Sequence, residues 1–249
     1  MPGRHSYRTR AVVLDRTKLG EQDLILTLLT SDGSEVRAVA KGARKPGGRL
    51  AARTDLFSEV DLLLAVGRSL DVVSEAALVN AHAGIRGELD RVCAASAICE
   101  VARLTCFDGT EDPFLYPILC RALLACEEAV DRPHLDLVVA AYAFKTLAHG
   151  GWRPELDRCV SCGDDVPTFF SVAAGGVLCA SCAREVEGAE PVSAARISWL
   201  RFLISATFDQ LMAAEIDSGT AYGLAGEAHV WAATHLDARL RAFEFMLSA

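Results

Sequence analysis

Long apolar runs are missing from this 249-residue chain, and without an uninterrupted apolar span of about 18 residues no membrane helix is expected. No apolar segment follows the charges of Met1-Pro2-Gly3-Arg4-His5, so no secretory leader is expected either. A G-x-x-x-x-G-K-[ST] phosphate loop is absent. Asp, Glu and His do not cluster as a two-metal nuclease site requires. His82, His134, His149, His229 and His235 stand singly and read as structural or solvated. No internal repeat or low-complexity segment occurs. Aromatic residues are scarce at the front of the chain, where Tyr7 and Phe57 are the only ones in the first eighty residues. The three tryptophans, Trp152, Trp199 and Trp231, all come later. Base stacking can therefore contribute little in the N-terminal part, and catalysis is not expected anywhere.

What is present is led by four cysteines. Cys159 and Cys162 form one C-x2-C pair, and Cys179 and Cys182 form a second after sixteen residues. Two thiolates two residues apart grip a metal from a tight knuckle, and two knuckles complete a tetrahedral four-sulfur site. Gly163 follows the first pair and Gly175-Gly176 precede the second, where a short ribbon must turn. A redox C-x-x-C motif needs one pair and opens a helix after a strand, which neither pair clearly does. The expected cofactor is one structural zinc ion; with four protein ligands its coordination is closed, so it holds shape rather than activating water. Cys93, Cys99, Cys106, Cys120 and Cys126 lie in Ala/Leu-rich helical sequence and read as small buried hydrophobes. Nine thiols with no export signal suit a reducing cytoplasm.

The formal net charge of −8 conceals a polarised chain. Residues 1–53 hold eleven Lys/Arg against five Asp/Glu, whereas the remaining 196 hold fourteen against twenty-eight. One end suits phosphates and the other suits different partners.

The first eighty residues read as five strands: Tyr7–Lys18, Asp23–Thr30, Glu35–Lys41, about Leu56–Ala65 and about Leu70–Ala76. Ser31-Asp32-Gly33-Ser34 is a hairpin signal, and Gly42–Thr54 reads as a long loop. Val36, Ala38 and Ala40 share one face of the third strand, and Arg37, Val39 and Lys41 the other. Five short strands in this length predict a small closed barrel of the OB type. Beyond Ile85 the period turns helical, with helices over Glu88–Phe107, from Asp112-Pro113 to about Ala129, over Leu135–His149, from a Ser193 cap to about Met212, and over Gly226–Ser248. The expected architecture is α+β: an OB-like domain over 1–80, a helical domain over 81–156, a zinc ribbon over 157–183, and a return to the helical domain over 184–249.

Between strands three and four, Lys41, Arg44, Lys45, Arg49 and Arg53 place five cations in thirteen residues with no carboxylate. Glycine and proline keep this stretch irregular, so side chains and backbone N–H groups can face a phosphate track. Arg37 emerges on the same face as Lys41, and Arg8 and Arg10 share a face of strand one. OB barrels bind oligonucleotides on a sheet face and its flanking loops. Arg37, Lys41, Arg44, Lys45, Arg49 and Arg53, with Arg8 and Arg10, are the candidate nucleic-acid contacts; an anionic ligand or an acidic protein is the alternative for the same cations.

Ala11-Val12-Val13-Leu14, Gly20-Glu21-Gln22-Asp23-Leu24-Ile25-Leu26, Thr30 to Gly33, and Val39-Ala40-Lys41-Gly42-Ala43-Arg44-Lys45 resemble the opening of the bacterial RecO family of recombination mediators. The ordered layout of barrel, helical domain and inserted four-cysteine ribbon resembles that family along the whole chain. The resemblance implies a protein that binds single- and double-stranded DNA, anneals complementary strands, and with RecR helps load RecA onto DNA coated by single-strand-binding protein. It implies no nucleotide consumption and a cytoplasmic, nucleoid-associated location. Some members of the family lack the cysteines, so the metal does not define the function. An OB/zinc-ribbon adaptor for RNA or transcription machinery shares all of these physical features. An enzyme with an appended ribbon would need a convergent polar pocket, which the sequence does not show, and a scaffold would act through its acidic helical part with the basic end incidental. The family resemblance favours the mediator.

Overall fold

The computed structural model describes residues 5–45 and 49–249, Arg49 through its backbone alone. It divides into two compact units, one running through Glu128 and the other Ala129–Ala249.

The first unit is built on a closed barrel of β1 (Ser6–Leu19), β2 (Asp23–Thr30), β3 (Glu35–Ala40), β4 (Glu59–Ala65) and β5 (Asp71–Asn80), in the order β1-β2-β3-β5-β4. The 14-residue β1 serves two neighbours, pairing β4 from Ser6 to Val12 and β2 from Ala11 to Leu19. An irregularity between Val13 and Asp15 lets it coil from one partner to the other. β3 and β5 pair in parallel through Ala38↔Asp71 and Val39↔Val72, the only parallel contact in the barrel. Alternation fills the interior: Leu24, Leu26 and Leu28 of β2 meet Ala38 and Ala40 of β3 and Val60, Leu62 and Leu64 of β4. The five-stranded closed barrel expected from the sequence is therefore present.

The expected loop over Gly42–Thr54 needs correction. Its second half is a short helix, α1 (Arg49–Arg53), and Leu50 packs against the barrel core. An apolar side chain over the barrel interior and the Thr54 hydroxyl bonding the Leu50 carbonyl (2.8 Å) hold this turn of helix. Pro46, Gly47 and Gly48 lie outside the described residues. β4 starts at Glu59 rather than about Leu56, because Phe57 takes a left-handed conformation (φ 67) with its N–H bonded to the Val13 carbonyl.

The β2–β3 turn is tied by Asp32, whose Oδ1 accepts from the Thr30 hydroxyl (2.5 Å), the Ser34 N–H (3.0 Å) and the Ser34 hydroxyl (2.7 Å). Gly33 sits at φ 89, and a Cβ there would fall 1.7 Å from the Asp112 carbonyl oxygen. Gly33→Ala is expected to destabilise the unit by at least about 2 kcal/mol, from left-handed strain plus a backbone clash. A chemical-denaturation midpoint matching wild type would contradict this.

Three helices complete the unit: α2 (Ala83–Arg86), α3 (Leu89–Thr105) and α4 (Leu115–Glu128). α3 packs on β1 and β2. The Asp112 carboxylate accepts the Phe114 N–H (3.1 Å) in the turn before α4, but regular helix begins only at Leu115, two residues later than a cap at Asp112 with Pro113 first in the helix would place it.

The second unit holds α5 (Arg132–His149), a sheet of β6 (Phe169–Ser171), β7 (Gly176–Leu178) and β8 (Glu190–Pro191), then α6 (Ala194–Ser205), α7 (Phe208–Met212), α8 (Ser218–His235) and α9 (Arg241–Ser248). α5 starts three residues before the expected Leu135, capped by the Asp131 carboxylate with Pro133 in its first turn. It is buried nearly all round and packs against α8, α6 and α7. Two expected single helices are each broken. The stretch after Ser193 splits at Ala206, because Thr207 and Gln210 form a capping box that starts α7. Gly226–Ser248 splits around Asp237, which takes φ 46, and α8 begins earlier, at the Asp217 cap. The Lys145 amine donates to the Ile204 and Ala206 carbonyls (2.8 and 2.6 Å), closing the end of α6, and burial pulls its pKa down to about 8.

Candidate nucleic-acid interface and cysteine centre

Each cysteine knuckle is a turn closed by its own backbone. Cys159 N–H donates to the Asp164 carbonyl (2.9 Å) and Gly163 N–H to the Cys159 carbonyl (2.8 Å), with Gly163 at φ 77. In the second, the Ala183 N–H reaches the Cys179 carbonyl (3.0 Å) as a 3-10 turn opens at Cys182. The antiparallel pair β6–β7, in register Phe169↔Leu178 and Ser171↔Gly176, brings the second knuckle back over the first.

All four sulfur atoms then lie within 4.8 Å of one another, and Cys162 Sγ is 3.7 Å from Cys179 Sγ. A tetrahedral site with metal–sulfur bonds of about 2.3 Å has an edge of about 3.8 Å, whereas a disulfide would need about 2.05 Å. The four thiols are free and could hold a metal ion. N–H groups of Cys179, Cys162 and Ser161 aimed at Cys159 hold its thiol down to about 6, against the cost of burial. Hydrogen bonds among the crowded thiols push Cys182 up to about 12, those of Cys162 and Cys179 contributing most. One thiolate is thus favoured on its own, and a full set requires a cation. The remaining cysteines behave as small core side chains: Cys93, Cys99, Cys106 and Cys126 are buried, Cys120 is partly buried, and burial pushes the Cys106, Cys120 and Cys126 thiols up to about 12.

The candidate DNA contacts separate into two groups. At one rim, the turn after β3 is docked on the β1–β2 turn. The Gly42 N–H donates to Asp23 Oδ1 (2.7 Å), the Arg44 N–H to the Gln22 carbonyl (2.9 Å), and Arg44 Nη1 to the Gly20 and Glu21 carbonyls (3.3 and 2.9 Å). Arg44 therefore shapes the loop, using its guanidinium on backbone oxygens. Lys41 and Lys45 remain exposed with no ion-pair partner among the described residues, and Arg37 is likewise exposed on the outer face of β3, opposite Thr27 of β2. Lys18 is exposed at the same end of the barrel, but the register Lys18↔Leu24↔Ala40 puts it on the core-side face, opposite to the face of Lys41. Arg53 Nη1 donates to the Ala76 carbonyl (2.9 Å), fastening α1 to β5. The Arg49 side chain lies outside the described residues.

Arg8 and Arg10 lie apart from that rim, on the flank of β1 that faces β4 and β5. Arg10 forks onto Asp61 (2.8 and 3.1 Å), its direct cross-strand neighbour, and Arg8 reaches Glu75 (3.6 Å). The hydrogen bond from Arg10 holds the Asp61 carboxyl below its ordinary range. Both arginines are exposed but charge-matched in the protein itself.

The scattered histidines hold separate local roles. His82 is buried with Nδ1 2.8 Å from Glu127, His134 bonds Asp131 (2.6 Å), and His235 stacks on Trp152. Among the described residues, no helix is long and apolar enough to cross a membrane.

The family model described as Recombination protein O N terminal matches residues 4–82, and that described as Recombination protein O C terminal matches residues 86–241. A protein named DNA repair protein RecO from Bifidobacterium animalis subsp. lactis (strain AD011) is 42% identical over 176 residues, covering 70% of this chain and 72% of the relative. One of the same name from Rubrobacter xylanophilus (strain DSM 9941 / JCM 11954 / NBRC 16129 / PRD-1) is 37% identical over 179 residues, covering 71% of each.

Proposed function

The chain belongs to the RecO family of DNA repair proteins, and from that premise we propose that it is a DNA-binding recombination mediator without catalytic activity of its own. In this reading the barrel binds the phosphates of single- and double-stranded DNA, and the protein brings complementary strands together. With RecR it helps load RecA onto DNA coated by single-strand-binding protein, in the cytoplasm and on the nucleoid. The observation that carries the reading is the barrel rim, where Lys41 and Lys45, with Arg37 beside the pocket of Glu35, Asp71 and Asp108, are exposed and form no ion pair among the described residues. Cations left unmatched on an OB barrel suit an external polyanion.

We assign the ion of the cysteine centre as zinc, one per chain, because four thiolates in tetrahedral reach are the ligand set of structural zinc. The ribbon and the helices around it form one discontinuous folding unit in this proposal. A chain ending at Val192 would strip α5 of α6, α7 and α8, so it is expected to be poorly soluble; a stably folded monomer would overturn this.

Anisotropy titrations with single-stranded DNA, duplex DNA and RNA at two salt concentrations test the function. Binding to both DNA forms that weakens steeply with salt is expected. A clear preference for RNA would favour an adaptor role instead.

A further inference from the structure

We propose that Trp152 is a stacking platform for an unpaired nucleobase, a single-strand contact in the unit Ala129–Ala249 that is distinct from the barrel cations. The proposal rests on the reading that this protein binds DNA. The barrel offers almost no aromatic surface, so any stacking has to come from elsewhere in the chain.

Trp152 is 49% exposed, directly after the Gly150-Gly151 pair that ends α5. Its position is nonetheless fixed. The Trp152 N–H donates to the Leu147 carbonyl (2.8 Å), and its carbonyl accepts from Trp231 Nε1 (3.0 Å). One face of the indole lies against His235, with ring centroids 4.7 Å apart and planes 18° from parallel. His235 in turn meets Trp231 edge-on at 4.3 Å, and Trp231 is buried against Phe144 and Phe170. Burial lowers the His235 pKa, so a neutral ring backs the indole at neutral pH. The open face of Trp152 is therefore a rigid aromatic surface seated on the core, with little ordering cost left for a ligand to meet.

The surrounding charge suits a nucleotide. Arg153 follows Trp152 in the chain and is exposed; it forms no ion pair among the described residues, although its charge acts on Glu155, and it is the cation available for the phosphate. The nearest carboxylate in sequence, Glu155, is occupied by the N–H groups of Asp157 and Arg158 (2.7 and 3.3 Å). An aromatic face beside a cation binds single strands with little base preference. A duplex hides its base faces in its own stack, so this contact adds affinity for single strands alone.

The test uses the full chain with fluorescein-labelled oligo(dT) and the matching oligo(dT)·oligo(dA) duplex. Trp152→Ala is expected to weaken single-strand binding roughly 5- to 150-fold, the range of one lost base stack, with duplex affinity and the salt slope unchanged. Unlabelled oligo(dT) should quench tryptophan emission of the wild type and quench Trp152→Phe far less, while Trp152→Phe retains most of the affinity. This fluorescence contrast decides the matter even if the alanine variant is poorly folded. Single-strand binding with equal quenching in wild type and Trp152→Phe would overturn the platform and leave the proposed function standing. Absence of binding to either DNA form by the wild type would overturn the function, and the platform with it.

Discussion

Cys159→Ser is expected to strip the metal from the ribbon and unfold residues 157–191 while the barrel stays folded. The ribbon has almost no core of its own. Its buried cluster is Cys159, Leu178, Cys179 and Ala183, two of them ligands, and its strands are two or three residues long. Such a segment cannot offset its chain entropy by apolar burial. Metal binding supplies about 10–16 kcal/mol in zinc-finger peptides, and that energy is folding energy. Cys159 is one of the four ligands and the most buried of them, so its loss both opens the coordination sphere and disturbs that small cluster. Elemental analysis should give one zinc per chain in the wild type and none in the variant, and hydrogen exchange should show protection lost in the ribbon alone. A zinc-free wild type with a protected ribbon would contradict both halves of the expectation.

Removing the unmatched cations should have the largest effect on DNA. In Arg37→Ala/Lys41→Ala/Lys45→Ala, three phosphate contacts disappear. Single-strand affinity falls with salt by a slope of about 0.7 per neutralised phosphate, so the slope should flatten by about 2 units. Over a fourfold rise in salt the wild type would then lose about 16-fold more affinity than the variant. Arg8→Ala and Arg10→Ala should leave the slope close to wild type, because Glu75 and Asp61 already neutralise those charges. Arg44→Ala should act through the loop, lowering thermal stability by releasing the β1–β2 turn. An unchanged slope in the triple variant would remove the rim from the binding site.

The parts legible in the sequence were those set by local pattern. The dense apolar run from Leu24 to Leu29 marked β2, alternation in Val36, Ala38 and Ala40 marked β3, and ligand spacing marked the ribbon before any fold was known. Missed features depended on partners distant in sequence or on caps hidden in apolar surroundings. Thr207 and Gln210 break an otherwise continuous helical period, and Leu50 makes a helix of a glycine-rich loop only because the barrel end lies beneath it. Arg8 and Arg10 looked as available as Arg37. The carboxylates that match them, Glu75 and Asp61, are brought opposite by barrel pairing, which no local pattern reveals.

Strand pairing tests the mediator role most directly. Complementary oligonucleotides carrying a donor and an acceptor dye are mixed with the purified full chain, with no nucleotide present, and energy transfer is followed over time. Pairing should accelerate with protein concentration, slow as salt rises, and slow in the Arg37/Lys41/Lys45 variant. Pairing no faster than in the protein-free control, or binding confined to one strand type, would contradict the mediator role even with the fold as described.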